Sequence, residues 1–198
     1  MRRAWQIARA GLARFWRDRD REAGSMTVEA VLMMPLLLWV FGGSWVFFDA
    51  YRAKSINTRA AYTVGDVLSR ESGYITPTFV NSISALQGVL MPESRAPRIR
   101  VSVFTYDAPT SSYRVRWSTA RGTGVSALTD AALNEVRAEL PDMPNLEVAT
   151  LVETWTDYTP IFDVGLAPFT FEDRVVTRLR FAGQLCYSVT GTVSDALC

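Results

Sequence analysis

Residues 30–48 read AVLMMPLLLWVFGGSWVFF, nineteen positions without a charge. A helix needs ~20 such residues to cross ~30 Å of hydrocarbon, so this run predicts one transmembrane helix. Trp39 and Trp45 lie within it, Phe47 and Phe48 close it, and Asp49, Tyr51 and Arg52 mark the return to water. Glu29 stands at the other doorway. A charged side chain costs roughly 2.5–3.5 kcal/mol at the bilayer centre and less toward the interface. Glu29 therefore either snorkels to the headgroups or meets a cation.

The arginines orient the helix. The first 24 residues hold seven of them (Arg2, Arg3, Arg9, Arg14, Arg17, Arg19, Arg21) against Asp18, Asp20 and Glu22, a flank of +4. By the positive-inside rule the N-terminus stays cytoplasmic and residues from about 49 onward are exported. The whole chain carries +1, so the remainder is close to −3, which leaves no basic surplus for nucleic acid. A cleaved secretory signal is not the reading: the apolar run exceeds an h-region of about 7–15 residues and no small-x-small site closes it. Trp5, Ala8, Leu12, Phe15 and Trp16 form a stripe in the leader. It reads as an amphipathic helix on the anionic inner membrane face or as a poorly ordered topogenic tail.

Gly24 is followed by Ser25-Met26-Thr27-Val28, then Glu29, then the apolar run. This resembles the class III signal of type IV pilins and pseudopilins, in which a prepilin peptidase cuts after Gly and leaves Glu as the fifth mature residue. A cut before Ser25 would create an α-amine, and residues four apart on a helix face each other, so the amine could reach Glu29. More specifically, GSMTVEAVLMMPLLLWVFGGSWVFFDAYR resembles the N-terminal signature of the TadE-like family through Gly24, Val28-Glu29, Pro35, Leu36-Leu37-Leu38, Gly42-Gly43, Asp49 and Arg52. The likeness covers residues 24–54. One position departs from it: where the family commonly has an aromatic after Glu, Ala30 stands here. The resemblance implies a pseudopilin-like protein of the tight-adherence pilus system in a bacterial inner membrane. Its partners would be other pilin-like and secretion-system membrane proteins and the lipid bilayer, with prepilin peptidase as processing enzyme and self-association open.

Pro35 and Gly42-Gly43 have readings of their own. A membrane helix tolerates proline where neighbours satisfy the freed carbonyl, so Pro35 is a kink or packing position. Gly42 and Gly43 would let another helix approach closely, although GxxxG spacing is missing.

The helical pattern continues past the membrane through Ile56, Ala60, Ala61, Val64, Val67 and Leu68, with a stop near Gly73. A second helix is expected from Pro77, capped by Thr76, with Phe79, Val80, Ile83, Leu86 and Leu90 inward and Pro92 ending it. Arg98–Phe104 and Tyr113–Trp117 alternate across a turn at 109–112 and predict a hairpin with one wet face. A third helix is expected at 127–140, capped by Ser126 or Thr129, and further strands at 146–158 and 173–187 around a 160–170 loop. The fold class is thus α+β: a leader at 1–24, a membrane helix at 25–48, and an exported region at 49–198 with about four antiparallel strands packed by helices.

Cys186 and Cys198 are the only cysteines and both follow the membrane run, so an oxidising compartment would pair them. The chain has no histidine, which removes Ser-His-Asp and Cys-His catalysis and the commonest metal ligand. Gly122-Thr123-Gly124 is a lone short loop. Glu147, Glu153, Asp157 and Asp163 read as solvated strand and loop residues rather than a catalytic pair. We expect no catalytic residues, metal site or cofactor, and a structural protein rather than an enzyme. The competing reading is an unprocessed bitopic protein whose exported region binds envelope partners.

Overall fold

The computed structural model describes residues 2–91 and 98–198, with side chains from Met26 onward. It is α+β: α1 (Arg2–Arg70), α2 (Pro77–Leu90), β1 (Arg98–Asp107), β2 (Ser112–Arg121), α3 (Asp130–Glu135), β3 (Val148–Tyr158) and β4 (Phe169–Arg178), with 3-10 turns at Arg137–Glu139 and Val193–Asp195. The four strands form one antiparallel sheet in the order β2-β1-β3-β4. The chain divides into two compact units: residues 1–48 with 161–165, and residues 49–160 with 166–198.

In the second unit, residues 49–70 of α1 lie on the sheet through small and polar side chains as well as apolar ones. Asn57, Ala60, Ala61, Val64 and Leu68 are buried, whereas Val67 of the expected stripe is exposed. The face is therefore rotated toward Asn57, because its amide finds partners on the sheet. Its Nδ2 donates to Asp173, its Oδ1 accepts from the Thr156 hydroxyl at 2.8 Å, and Lys54 Nζ donates to the same Asp173 carboxylate at 2.7 Å. Gly65 makes the approach close: a Cβ there would stand 2.8 Å from Thr177 Oγ1 and 3.4 Å from Val175 Cγ1.

Thr76 caps α2 by accepting the Phe79 amide at 3.3 Å, with Pro77 supplying a preset φ at the first turn. Val80 and Ile83 are buried as expected, but Gln87 is buried in place of Leu86 and Leu90, and its side-chain amide has no partner among the described residues. Pro92, the expected terminator, lies outside those residues. Val64, Leu68, Ile75, Val80, Ile83, Ile99, Val101, Val103, Trp117, Val152 and Leu185 form the core on this face of the sheet.

The other face is not wet. Phe104, Tyr113, Leu128, Leu133, Leu140, Met143, Ala149 and Leu151 form a second core on it. A bulge sorts the two. Val103 pairs with Trp117 and Phe104 with Val115, so Arg116 is the extra residue and Trp117 crosses to the face opposite Tyr113 and Val115. There its indole donates to the Leu185 carbonyl at 2.6 Å.

Three boundaries differ from expectation. Of the two candidate caps, Thr129 is used, accepting the Ala132 amide at 3.3 Å, and α3 is cut to Asp130–Glu135 before a 3-10 turn. Leu146 adopts a positive φ of 63° and belongs to the turn before β3. The last strand starts at Phe169 and stops at Arg178, because pairing with all of β3 brings Phe169 opposite Tyr158, and the Arg180 amide then leaves the sheet to donate to the Ser69 carbonyl of α1 at 2.9 Å. Phe181 is left exposed.

The closest helix-to-sheet contact gives a test. Gly65→Val should destabilise the protein by about 1–3 kcal/mol through overpacking. Adding Thr177→Ala should recover part of the loss, measured as denaturation midpoints, since the nearest atom in the way is the Thr177 hydroxyl.

Candidate functional site

Among the described residues the chemistry-bearing surface of the first unit is the apolar stretch of α1. A segment within Met26–Arg70 is long and apolar enough to cross a membrane. Its large side chains have no cover: Val31, Leu32, Met33, Met34, Leu36, Leu37, Leu38, Trp39 and Phe41 all stand exposed on successive sides of the helix. Such an all-round apolar surface fits lipid or neighbouring helices and is costly in water.

Glu29 is exposed one turn from the start of the described side chains. Gly24 and Ser25 lie outside those side chains, as does the stripe from Trp5 to Trp16. Pro35 sits inside α1, where its ring removes the hydrogen bond that the Val31 carbonyl would accept. At Gly42 and Gly43 an added Cβ would meet nothing within 4 Å, so the small-residue step is open to a neighbour. Ser44 turns its hydroxyl back onto the Val40 carbonyl at 2.9 Å, which satisfies it inside an apolar setting.

One element of this unit went unread as more than a connection. Residues 161–165 group with the helix, and Ile161, Phe162, Asp163 and Val164 join Leu38, Trp39, Phe41, Gly42 and Trp45 around a cleft of about 570 Å³. The signal available was an Ile-Phe pair inside a loop bounded by Pro160 and Gly165.

In the second unit the predicted cysteines are joined: Cys186 and Cys198 form a disulfide with Cα atoms 4.3 Å apart. The closed segment is held from within by Asp195. Its carboxylate accepts the Ser188 hydroxyl at 2.6 Å, the Thr190 hydroxyl at 2.7 Å, and the Thr190 and Val189 amides at 2.9 and 2.8 Å. These bonds, those from Ser188 and Thr190 foremost, hold the Asp195 carboxyl well below the usual carboxylate range.

The four acids weighed as a carboxylate pair are each engaged. Glu147 pairs with Arg178 at 3.1 Å, Asp157 with Arg98 at 2.6 Å, and Asp163 accepts the Gly165 amide at 3.2 Å. Glu153 corrects the expectation of a solvated residue: its side chain is 1% exposed. It lies opposite Arg100 on one side and Arg174 on the other, across three adjacent strands. Arg100 grips it through Nε at 2.5 Å and a second nitrogen at 2.7 Å, and Arg174 Nε adds a contact at 3.2 Å. A bidentate pair of this kind fixes geometry as well as charge. Two guanidiniums neutralise the carboxylate, which makes it a cross-strand clamp. Among the described residues no group of three or more acidic or cysteine side chains is placed to hold a metal ion.

No family model matches the chain, and no curated protein or solved structure matches it.

Two outcomes follow from these groups. Glu153→Leu leaves the Arg100 guanidinium, 15% exposed, without its carboxylate, while Arg174 keeps Glu139 and Glu172, and should cost about 3 kcal/mol, the low end of the range for breaking a buried pair. Equilibrium denaturation checks it. For Asp195 the folded-state pKa is depressed, so its contribution is complete above the ordinary carboxylate pKa near ~4 and is lost as the pH falls toward the lower folded value. The protection of the Val189 and Thr190 amides, taken relative to the intrinsic exchange rate at each pH, should be highest at neutral pH and fall in acid, and Asp195→Asn should lower it at neutral pH.

Proposed function

We propose that the chain is a pilin-like structural subunit, a minor pseudopilin or assembly component of a tight-adherence type IV pilus, held by a single span in a bacterial inner membrane with its N-terminus cytoplasmic. The observation that carries the reading is the joint use of α1: an exposed apolar surface at 30–45 directly follows the Gly24–Glu29 signal pattern, and the same helix goes on to form the spine on a four-stranded antiparallel sheet. Association through helix surfaces is what such a subunit needs, and Gly42 and Gly43 leave room for it. Glu29 is then matched to the α-amine of Ser25, its own or a neighbour's, once the leader is removed. The engaged state of Glu147, Glu153 and Asp157 supports association over catalysis as the role.

The test is the N-terminal residue and intact mass of the membrane-extracted protein from cells with and without their prepilin peptidase. A mature chain beginning at Ser25 only when the peptidase is present is the expected result. A chain beginning at Met1 in both overturns the processed subunit and leaves a bitopic protein whose exported region binds envelope partners.

A further inference from the structure

We propose that the loop Ile161–Val164 is a membrane anchor, seated in the headgroup layer of the leaflet through which α1 leaves the bilayer, with Ile161 and Phe162 reaching the upper acyl chains beside Trp39 and Trp45. The proposal rests on α1 being a membrane span; it does not depend on pilus membership.

Three observations converge on it. Ile161 and Phe162 are 69% and 53% exposed, although both are large and apolar and belong to a loop. The same loop lies against Leu38, Trp39, Gly42 and Trp45, so its apolar side chains continue the uncovered surface of the helix rather than standing alone. The cleft between them, about 570 Å³ and walled by apolar and aromatic side chains, suits the glycerol end of a phospholipid. Tryptophan concentrates at this depth because its ring is apolar and its N–H seeks water.

The loop also sets a depth. Irregular backbone exposed to lipid is not tolerated within the hydrocarbon, where its amides and carbonyls would have no partners. Its level therefore marks the boundary, which lies no further out than Trp45. Counting ~20 residues back begins the span no later than Met26. That takes Glu29 inside the edge of the hydrocarbon by about one helical turn, deeper than the uncharged run 30–48 by itself implies. Asp163 is compatible with the headgroup layer, where its carboxylate already accepts the Gly165 amide at 3.2 Å.

The test uses the full chain reconstituted in phosphatidylethanolamine–phosphatidylglycerol vesicles. A polarity-sensitive fluorophore is attached at Val164→Cys, which leaves Ile161 and Phe162 in place, and separately at Phe162→Cys. The native cysteines are closed in their disulfide, and Ala138→Cys on the exposed 3-10 turn is the reference. At 162 and 164 the emission should shift to the blue on reconstitution and be lost with lipids brominated near the glycerol end, with neither effect at 138. Emission that stays unshifted and is quenched by aqueous iodide as at 138 overturns the anchor. So does a probe shielded from bromine and iodide alike, which would place a second copy in the cleft. Flotation separates the readings: a chain that does not float with the vesicles overturns span and anchor together, and a floating chain with a wet loop overturns the anchor alone. The N-terminal sequence reports separately on the proposed function.

Discussion

The second unit depends on one requirement: the amide of Asn57, 0% exposed, must have partners at both ends. It finds Asp173 on β4 for its Nδ2 and Thr156 on β3 for its Oδ1, while Lys54 and Thr58 bring two more donors to the same aspartate. A buried polar group left unpaired costs roughly 1–3 kcal/mol, so sliding α1 by one residue along the sheet is penalised at several atoms together. Apolar side chains alone would tolerate such a slide far better. Gly65, two turns on, lets the helix come down onto Val175 and Thr177 at the register the polar node selects.

The sheet itself is organised by what lies on each of its two faces. One face is closed by α1 and α2, the other by α3 and the segment around Leu140 and Met143. Both central strands are therefore buried on two sides, and the charged residues they carry must be resolved within the sheet. Arg100, Glu153 and Arg174 do this by standing in register on β1, β3 and β4. The Arg116 bulge resolves a different conflict on β2: Tyr113 and Val115 serve one core and Trp117 the other, which strict alternation cannot deliver.

The C-terminal segment is secured by local bonds rather than by a core of its own. Tyr187 bridges Ile75 on one side and Leu197 on the other, the disulfide closes the segment at Cys198, and Asp195 satisfies the turn between. This ties the segment around Tyr187 and Leu197 to the α1–α2 connection at Ile75. The apolar half of α1 has no such internal solution. Apart from Val46, its large apolar side chains stand exposed, and among the described residues the loop Ile161–Val164 lies beside them.

How much of this was legible in the residues follows from whether each signal was local. Charge-free length, the capping threonines at 76 and 129, the turn at 109–112 and the pairing of the only two cysteines depend on near neighbours or on composition, and each could be read from the letters. So could the α+β class, since the apolar period changes from helical to alternating at Arg98. The rest needed partners distant in sequence. Asn57 lies outside the apolar stripe read for that helix, and its partners are about a hundred positions away; Glu153 looked solvated because the two arginines that enclose it sit on other strands. The bulge at Arg116, the early start of β4 at Phe169 and the placing of Ile161–Val164 beside Trp39 and Trp45 were likewise decided only by tertiary structure. Strand register and loop placement are settled by which surfaces can be buried together, and no single stretch of chain contains both surfaces.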